Sequence, residues 1–252
     1  RKMKYIFIFL FISLSLFARE KGQTEITTDQ GIEVFQKEKY YLLKENVEII
    51  SDNFKLNADL VRAYFDKDLY DIVRIESEGN VKFITPSGAN GKSEILNYSI
   101  IDKKIHLLGP KSSLILNEIE MYSDELIIIN DIDGKFKIEG KSSRLKSKDV
   151  DIMGSKIDGL YEKINEANEI INIIVIDDKI STIITNQTKM YAKKAIYNKE
   201  INIIELFNNV KIIRNNEVAT GDYGKINTLD ESYKIISNDS NKVKVYLNKP
   251  EE

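Results

Sequence analysis

The sequence predicts an all-β protein, and three observations predict it. Apolar residues alternate with polar ones along most of the chain, the period-two signature of strands with one buried face. Turn signals interrupt these runs about every 8–12 residues, as in a β meander, sandwich or solenoid. After residue 25, apolar residues rarely recur at the three-four spacing of a helix.

The strands follow in order. "VEII" carries Val47 and Ile49, and "VKFIT" carries Val81, Phe83 and Thr85. "KFKIEG" carries Phe136 and Ile138, and "KVKVYL" carries Val243, Val245 and Leu247. Isoleucine, valine and tyrosine suit a pleated, half-buried surface. The intervening turns include Ser51-Asp52-Asn53, Gly79-Asn80, Asp102-Lys103, Asp133-Gly134, Asn208-Asn209 and Asp230-Glu231. Gly-Asn, Asn-Asn and Asp-Gly tolerate the positive φ that two-residue hairpins need.

One phrase recurs: Asn-Val, a charged residue, then an apolar one, at Asn46-Val47, Asn80-Val81 and Asn209-Val210. The spacing predicts that each Asn closes a turn just before a strand, with Val and its second neighbour facing inward. A second strand follows each, with small residues near its start: "LNADLVRAY", "NGKSEILNY" and "VATGDYGKI", and "YAKKAIY" is a further copy. Small residues permit close approach of layers. The intervals between copies are uneven, which disfavours a strict short-period solenoid. A loose large-scale duplication places two copies at about 25–109 and 110–248.

The N-terminus is a separate element. Lys2, Lys4 and the apolar run Tyr5 to Phe17 have the layout of a secretory signal, with Ala18 as the last residue before cleavage. Residues 1–18 are therefore expected to be removed and 19–252 exported to the periplasm; an uncleaved anchor is the alternative. The run is short of the ~20 residues a spanning helix needs. The net charge of -3 argues against a nucleic-acid partner. The absence of cysteine excludes a disulfide frame, a thiolate nucleophile and a cysteine metal site.

Three motifs imitate chemistry. "GKS" at Gly91-Lys92-Ser93 resembles the end of a phosphate loop, but Pro86 stands where the loop needs glycine, and "EILNYSII" reads as a strand rather than a helix. It reads as a turn entering a strand. His106 is the only histidine, a poor basis for a triad or metal site. "NDIDG", Asn130 to Gly134, lacks the twelfth-position glutamate of a calcium loop and reads as a hairpin turn. No constellation points to catalysis, to a cofactor or to a metal.

Longer phrases carry a family resemblance. Thr27 to Phe65 and Tyr70 to Gly109 resemble the OstA-like family of periplasmic lipopolysaccharide-transport proteins, the LptA family. The matching phrases are Asp29-Gln30-Gly31, Ala58-Asp59 to Ala63-Tyr64, Ile75 to Val81, and Asn209-Val210 to Gly221-Asp222. The last departs, with Gly224 where alanine is common. Residues 110–190 match loosely. The resemblance implies an open, antiparallel two-sheet β-jelly-roll with a greasy slot between its sheets. It implies no catalysis. The implied ligand is lipopolysaccharide. The implied partners are further copies of the chain joined head to tail, an inner-membrane LptC-like protein and an outer-membrane LptD-like protein.

Such a slot holds lipid by a non-directional force, worth about 0.8 kcal/mol per buried CH₂ and so roughly 9 kcal/mol for a twelve-carbon chain. The expected lining is Val47, Ile49, Phe54, Leu56, Val81, Phe83, Phe136, Ile138, Val210 and Ile212, with an ordinary packed core as the alternative. The expected assembly edges are the first strand, with Ile26, Ile32 and Val34, and the last, with Val243, Val245 and Leu247. An edge offers free N–H and C=O groups that a partner strand can satisfy. Three other readings stay open: an exported β-solenoid scaffold or adhesin, a β-helical polysaccharide-modifying enzyme, and a membrane-anchored LptC-like partner.

Overall fold

The structure is a computed structural model, and it describes residues 22–68, 71–186, 188–215, 217–238 and 241–247. The expected signal segment lies outside the described residues. Among those described there is no helix, and every strand pairing is antiparallel.

The described residues form eighteen strands, paired in sequence as a meander except between β6 and β11. They are β1 (Glu25–Thr27), β2 (Ile32–Phe35), β3 (Tyr40–Ile50), β4 (Lys55–Phe65), β5 (Ile72–Ile84) and β6 (Ala89–Ser99). The middle holds β7 (Lys104–Leu108), β8 (Ser112–Leu116), β9 (Ile119–Ser123), β10 (Leu126–Asn130), β11 (Lys135–Lys146) and β12 (Asp151–Ile164). The chain ends with β13 (Ala167–Ile184), β14 (Thr188–Asn198), β15 (Ile203–Arg214), β16 (Glu217–Asn227), β17 (Tyr233–Ile236) and β18 (Lys244–Leu247).

The long strands do not run straight. Each pairing between them slips at mid-strand. Lys44 faces Leu60 and Val47 faces Ala58, so residues 45 and 46 oppose residue 59 alone. The same two-against-one slip sets residues 79 and 80 against 94, and 208 and 209 against 222. These are β-bulges, which bend a strand and raise its twist. Repeated down the stack at one level, they form a crease. Each long strand therefore contributes one half to each of two layers. The first layer runs β2–β3–β4–β5–β6–β7–β10–β11 and on to β17; the second runs β1–β3–β4–β5–β6–β8–β9–β11 and on to β18.

The recurring phrase lies in this crease, which corrects its reading as a turn before a strand. Asn46, Asn80 and Asn209 lie inside β3, β5 and β15, with φ of 48°, 50° and 56°. Their predecessors Glu45, Gly79 and Asn208 are also left-handed, at 61°, 78° and 63°. Asparagine tolerates that region better than most residues. At Gly79 a Cβ would lie 2.3 Å from Asp59 Oδ2, so the position also requires a bare backbone. Carboxylates hold the crease: Asn46 Nδ2 donates to Asp29 at 2.5 Å, and Asn80 Nδ2 donates to Asp59 at 2.8 Å. The positive φ is as expected, but it turns a sheet corner instead of a hairpin. "GKS" is corrected in the same way: Gly91 to Ser93 lie within β6, not in a turn. "NDIDG" is the β10–β11 hairpin, where Gly134 N donates to Asn130 O at 2.9 Å.

The layers face each other across one apolar interior. Phe83, in the second layer, puts its ring 5.0 Å from that of Tyr98 in the first; Phe54 reaches the same tyrosine at 6.0 Å. The buried cluster runs without a break from Leu43 to Ile226, across position 109. The small residues predicted near the strand starts line the inside of the crease: Ala58, Ala192 and Ala219 are buried there, beside Gly154 and Gly221. At Gly154 a Cβ would lie 2.5 Å from Val175 Cγ2, so a larger residue would force the converging layers apart.

The expectation of a sheet that never closes is met only in part. Between β6 and β11 the two layers are carried by separate short strands. The pairings β6–β7–β10–β11–β9–β8–β6 form a closed six-strand circuit, with the remaining strands extending from it.

Tyrosine–carboxylate pairs tie neighbouring strands. On the outer faces Tyr223 Oη donates to Glu205 at 2.5 Å and Tyr64 to Glu76 at 2.9 Å. Tyr233, opposite buried Ile226 and packed against the core, donates to Glu217 on the inner side of the C-terminal end. The bond to Glu205, then burial, pushes the Tyr223 phenol up to about 12; burial, then the Glu217 bond, does the same for Tyr233. A raised phenol keeps its stabilising contribution below the unfolded-state value of about 10 and loses it as pH rises through the folded value. Stability is thus expected to fall between pH 10 and about 12. Tyr223→Phe should flatten that loss in urea titrations at stepped pH; a variant with an unchanged slope would refute the assignment.

Candidate lipid groove and assembly edges

All ten expected lining residues lie in the interior, between 0 and 4% exposed. Val47, Ile49, Leu56, Val81, Phe83, Val210 and Ile212 face inward from the second layer, and Phe136 and Ile138 from the first. Phe54 sits in the β3–β4 turn at the rim. The layers are in contact: Gly91 lies so near Leu107 of the opposite layer that a Cβ would be 3.1 Å from Leu107 Cδ1.

The rim opposite the crease holds a cleft of about 250 Å³ between the hairpin ends of the two layers. Asn53, Thr85 and Ser87 line it from the second layer; Tyr98, Ile100 and Ile105 line it from the first. No sequence signal marked it, because its walls come from turns distant in the chain. Burial raises the Tyr98 phenol above its ordinary value, with Asp131 adding to the shift, so the tyrosine stays neutral there.

The six edge residues occupy the terminal strands or their flank. Ile26 is on β1 and packs against the core. Ile32 and Val34 are on β2, opposite Leu43 and Tyr41. Val245 is on β18 opposite buried Ala219, and Leu247 is opposite Glu217. Val243 lies just before β18. Inner-facing apolar residues are buried along the stack, yet here they are open: Ile32 is 48% exposed, Val34 45%, Val245 49% and Leu247 77%. Among the described residues β1 and β2 pair only with β3, and β17 and β18 only with β16, so each terminal strand has one edge without a described partner.

His106 lies on the outer face of β7, between Asn97 and Ile128. Burial, and then Lys104, push its pKa below the usual value, which keeps it neutral. Among the described residues no three His, Cys, Asp or Glu side chains are grouped to hold a metal ion.

No family model matches the sequence, and no curated protein matches it. Among solved structures, the chain overlaps LptH of Pseudomonas aeruginosa, the LptA homologous periplasmic component of its lipopolysaccharide transport device. The overlap has a TM-score of 0.44 at 12% sequence identity and covers 52% of this chain and 95% of that one. At that score it fixes neither the fold family nor the role of this chain.

Proposed function

We propose that the chain is an exported lipid carrier of the OstA-like kind. In this reading its creased stack is a β-jelly-roll closed between β6 and β11 and open toward its two terminal ends, and acyl chains of lipopolysaccharide enter between the layers while the sugars stay in water. Copies join end to end between an LptC-like inner-membrane partner and an LptD-like outer-membrane partner. No catalytic step and no cofactor are assigned to it. The observation that carries the reading is the continuous apolar interior, covered along the stack and left uncovered at its two terminal strands. A second copy docked there would cover Ile32 and Val34 of one chain with Val245 and Leu247 of the other, and would continue both layers by strand addition.

The scaffold and β-helix readings require coils stacked in parallel. The described strands form an antiparallel meander instead. The anchored LptC-like reading turns on residues 1–20, outside the described region.

Placing aspartate at Val245 and Leu247 is expected to abolish concentration-dependent oligomers in light scattering, because a charge would be buried in the joint. The melting temperature should barely move, since both side chains are already exposed. Oligomers that persist in the double variant would refute end-to-end joining through this edge.

A further inference from the structure

We propose that the crease carries two related binding sites for phosphate groups, one built on each lysine-bearing copy of the recurring phrase. This goes beyond the acyl-chain reading and does not depend on it, because both sites lie on the outside of the crease.

The first site is a depression of about 900 Å³ beside Asn80-Val81-Lys82. The second is a depression of about 620 Å³ beside Asn209-Val210-Lys211. Their construction matches. The left-handed Asn sets the corner, Val turns into the core and Lys turns out. The next strand adds Lys92 and Ser93 in one site and Thr220 in the other. The following segment adds Lys111 in one and Lys242 and Lys244 in the other. Phosphate is well met by several ammonium groups with hydroxyls beside them.

The lysines outnumber the acids in each depression, and Lys211 Nζ lies 5.9 Å over the Tyr191 ring. Lys82 and Lys92 are direct cross-strand partners, like charges held side by side, an arrangement that costs stability unless an anion relieves it. None of the six lysines forms an ion pair among the described residues, whereas Lys55, Arg144, Lys146 and Lys199 do. The carboxylates in the depressions are Asp59 and Glu94 in the first and Asp222 in the second. Asp59 accepts from Asn80, and Asp222 from the Asn238 amide at 2.9 Å, so both serve the corner. Three lysines thus face two acids in the first site and one in the second. The second should bind more tightly.

An independent observation marks the second site. Ser237 Oγ is buried in its wall with no hydrogen-bond partner among the described residues, a group that usually finds one. The third copy, Asn46-Val47-Glu48, supplies the contrast. Its outward residue is an acid, held below the usual carboxylate range by hydrogen bonds from Lys55 and then Asn57. Asn46 and Val47 line the first depression beside the lysines of the second copy, but Glu48 is not among its lining residues and adds no cation to it.

The test is a titration of the ¹⁵N-labelled full chain with inorganic pyrophosphate at low ionic strength, against sodium chloride of equal ionic strength. The expected result is saturable shifts at the Lys211, Thr220 and Lys244 amides, with weaker ones at Lys82 and Lys92. The variant K211Q/K244Q should weaken the second site on the order of tenfold or more, the loss of two charge-assisted hydrogen bonds, and leave the first unchanged. Equal shifts with chloride, or a K211Q/K244Q variant that titrates like the parent, would overturn the proposal. A competing arm identifies the source. An acylated sugar phosphate that displaces pyrophosphate better than its dephosphorylated form assigns the sites to a lipid head group. One that fails to displace it assigns them to free phosphate. A chain that binds pyrophosphate but no amphiphile would sink the lipid-carrier reading and leave the phosphate sites standing.

Discussion

Phe83→Ala is expected to lower the unfolding free energy by about 3–5 kcal/mol, the usual cost of truncating a buried aromatic ring. Phe83 is fully buried, and its ring meets Tyr98 edge-on at 5.0 Å across the two layers. Removing it takes apolar area from both layers at once and leaves a cavity where they meet. The phenol of Tyr98 also loses its neighbour, an aromatic contact worth about 0.5–1.5 kcal/mol beyond area burial. Urea denaturation should show a lower midpoint with an unchanged slope. A loss below about 1 kcal/mol would mean that the ring borders space rather than packed atoms. That result would contradict the close contact of the layers.

The second large effect belongs to the crease. Asn208 and Asn209 are consecutive left-handed residues, at φ 63° and 56°, inside an otherwise extended strand. That region costs an ordinary L-residue roughly 1–2 kcal/mol. The double variant Asn208→Ala/Asn209→Ala should therefore lose about 2 kcal/mol in the same denaturation experiment. Asn208→Gly/Asn209→Gly should lose clearly less, because glycine enters positive φ without steric cost. The reverse ranking would show that the asparagines act through side-chain contacts and not through the corner they allow.

What was legible in the sequence divides along physical lines. Alternation in Val47/Ile49, Val81/Phe83 and Phe136/Ile138 identified inward faces, because one buried face of a strand imposes period two whatever the topology. The small residues of "LNADLVRAY" and "YAKKAIY" identified close approach, and Ala58 and Ala192 do line the crease. The asparagines were legible as positive-φ positions but not as corners. Asn208-Asn209 looks the same before a strand as within one, and only the partner strand's single opposing residue, Asp222, tells them apart. The lysine pairing was hidden for a similar reason. Lys82 and Lys92 become neighbours through register, which one strand's pattern does not contain. Nor does period two separate a packed core from a lipid slot, since both require the same inward side chains. The closed circuit between β6 and β11 arises because β7 to β10 are short, a matter of strand length that turn spacing left open.

The central claim is that the interior takes up acyl chains. It is tested most directly by photocrosslinking in the living envelope from Phe83 and Ile212, each replaced by a photoreactive residue, with an outward control at Tyr64, on the outer face of β4. The account predicts lipopolysaccharide adducts from both inner positions and none from Tyr64. Protein crosslinks from Phe83 and Ile212 without any lipid adduct would contradict it, and would make the interior an ordinary core.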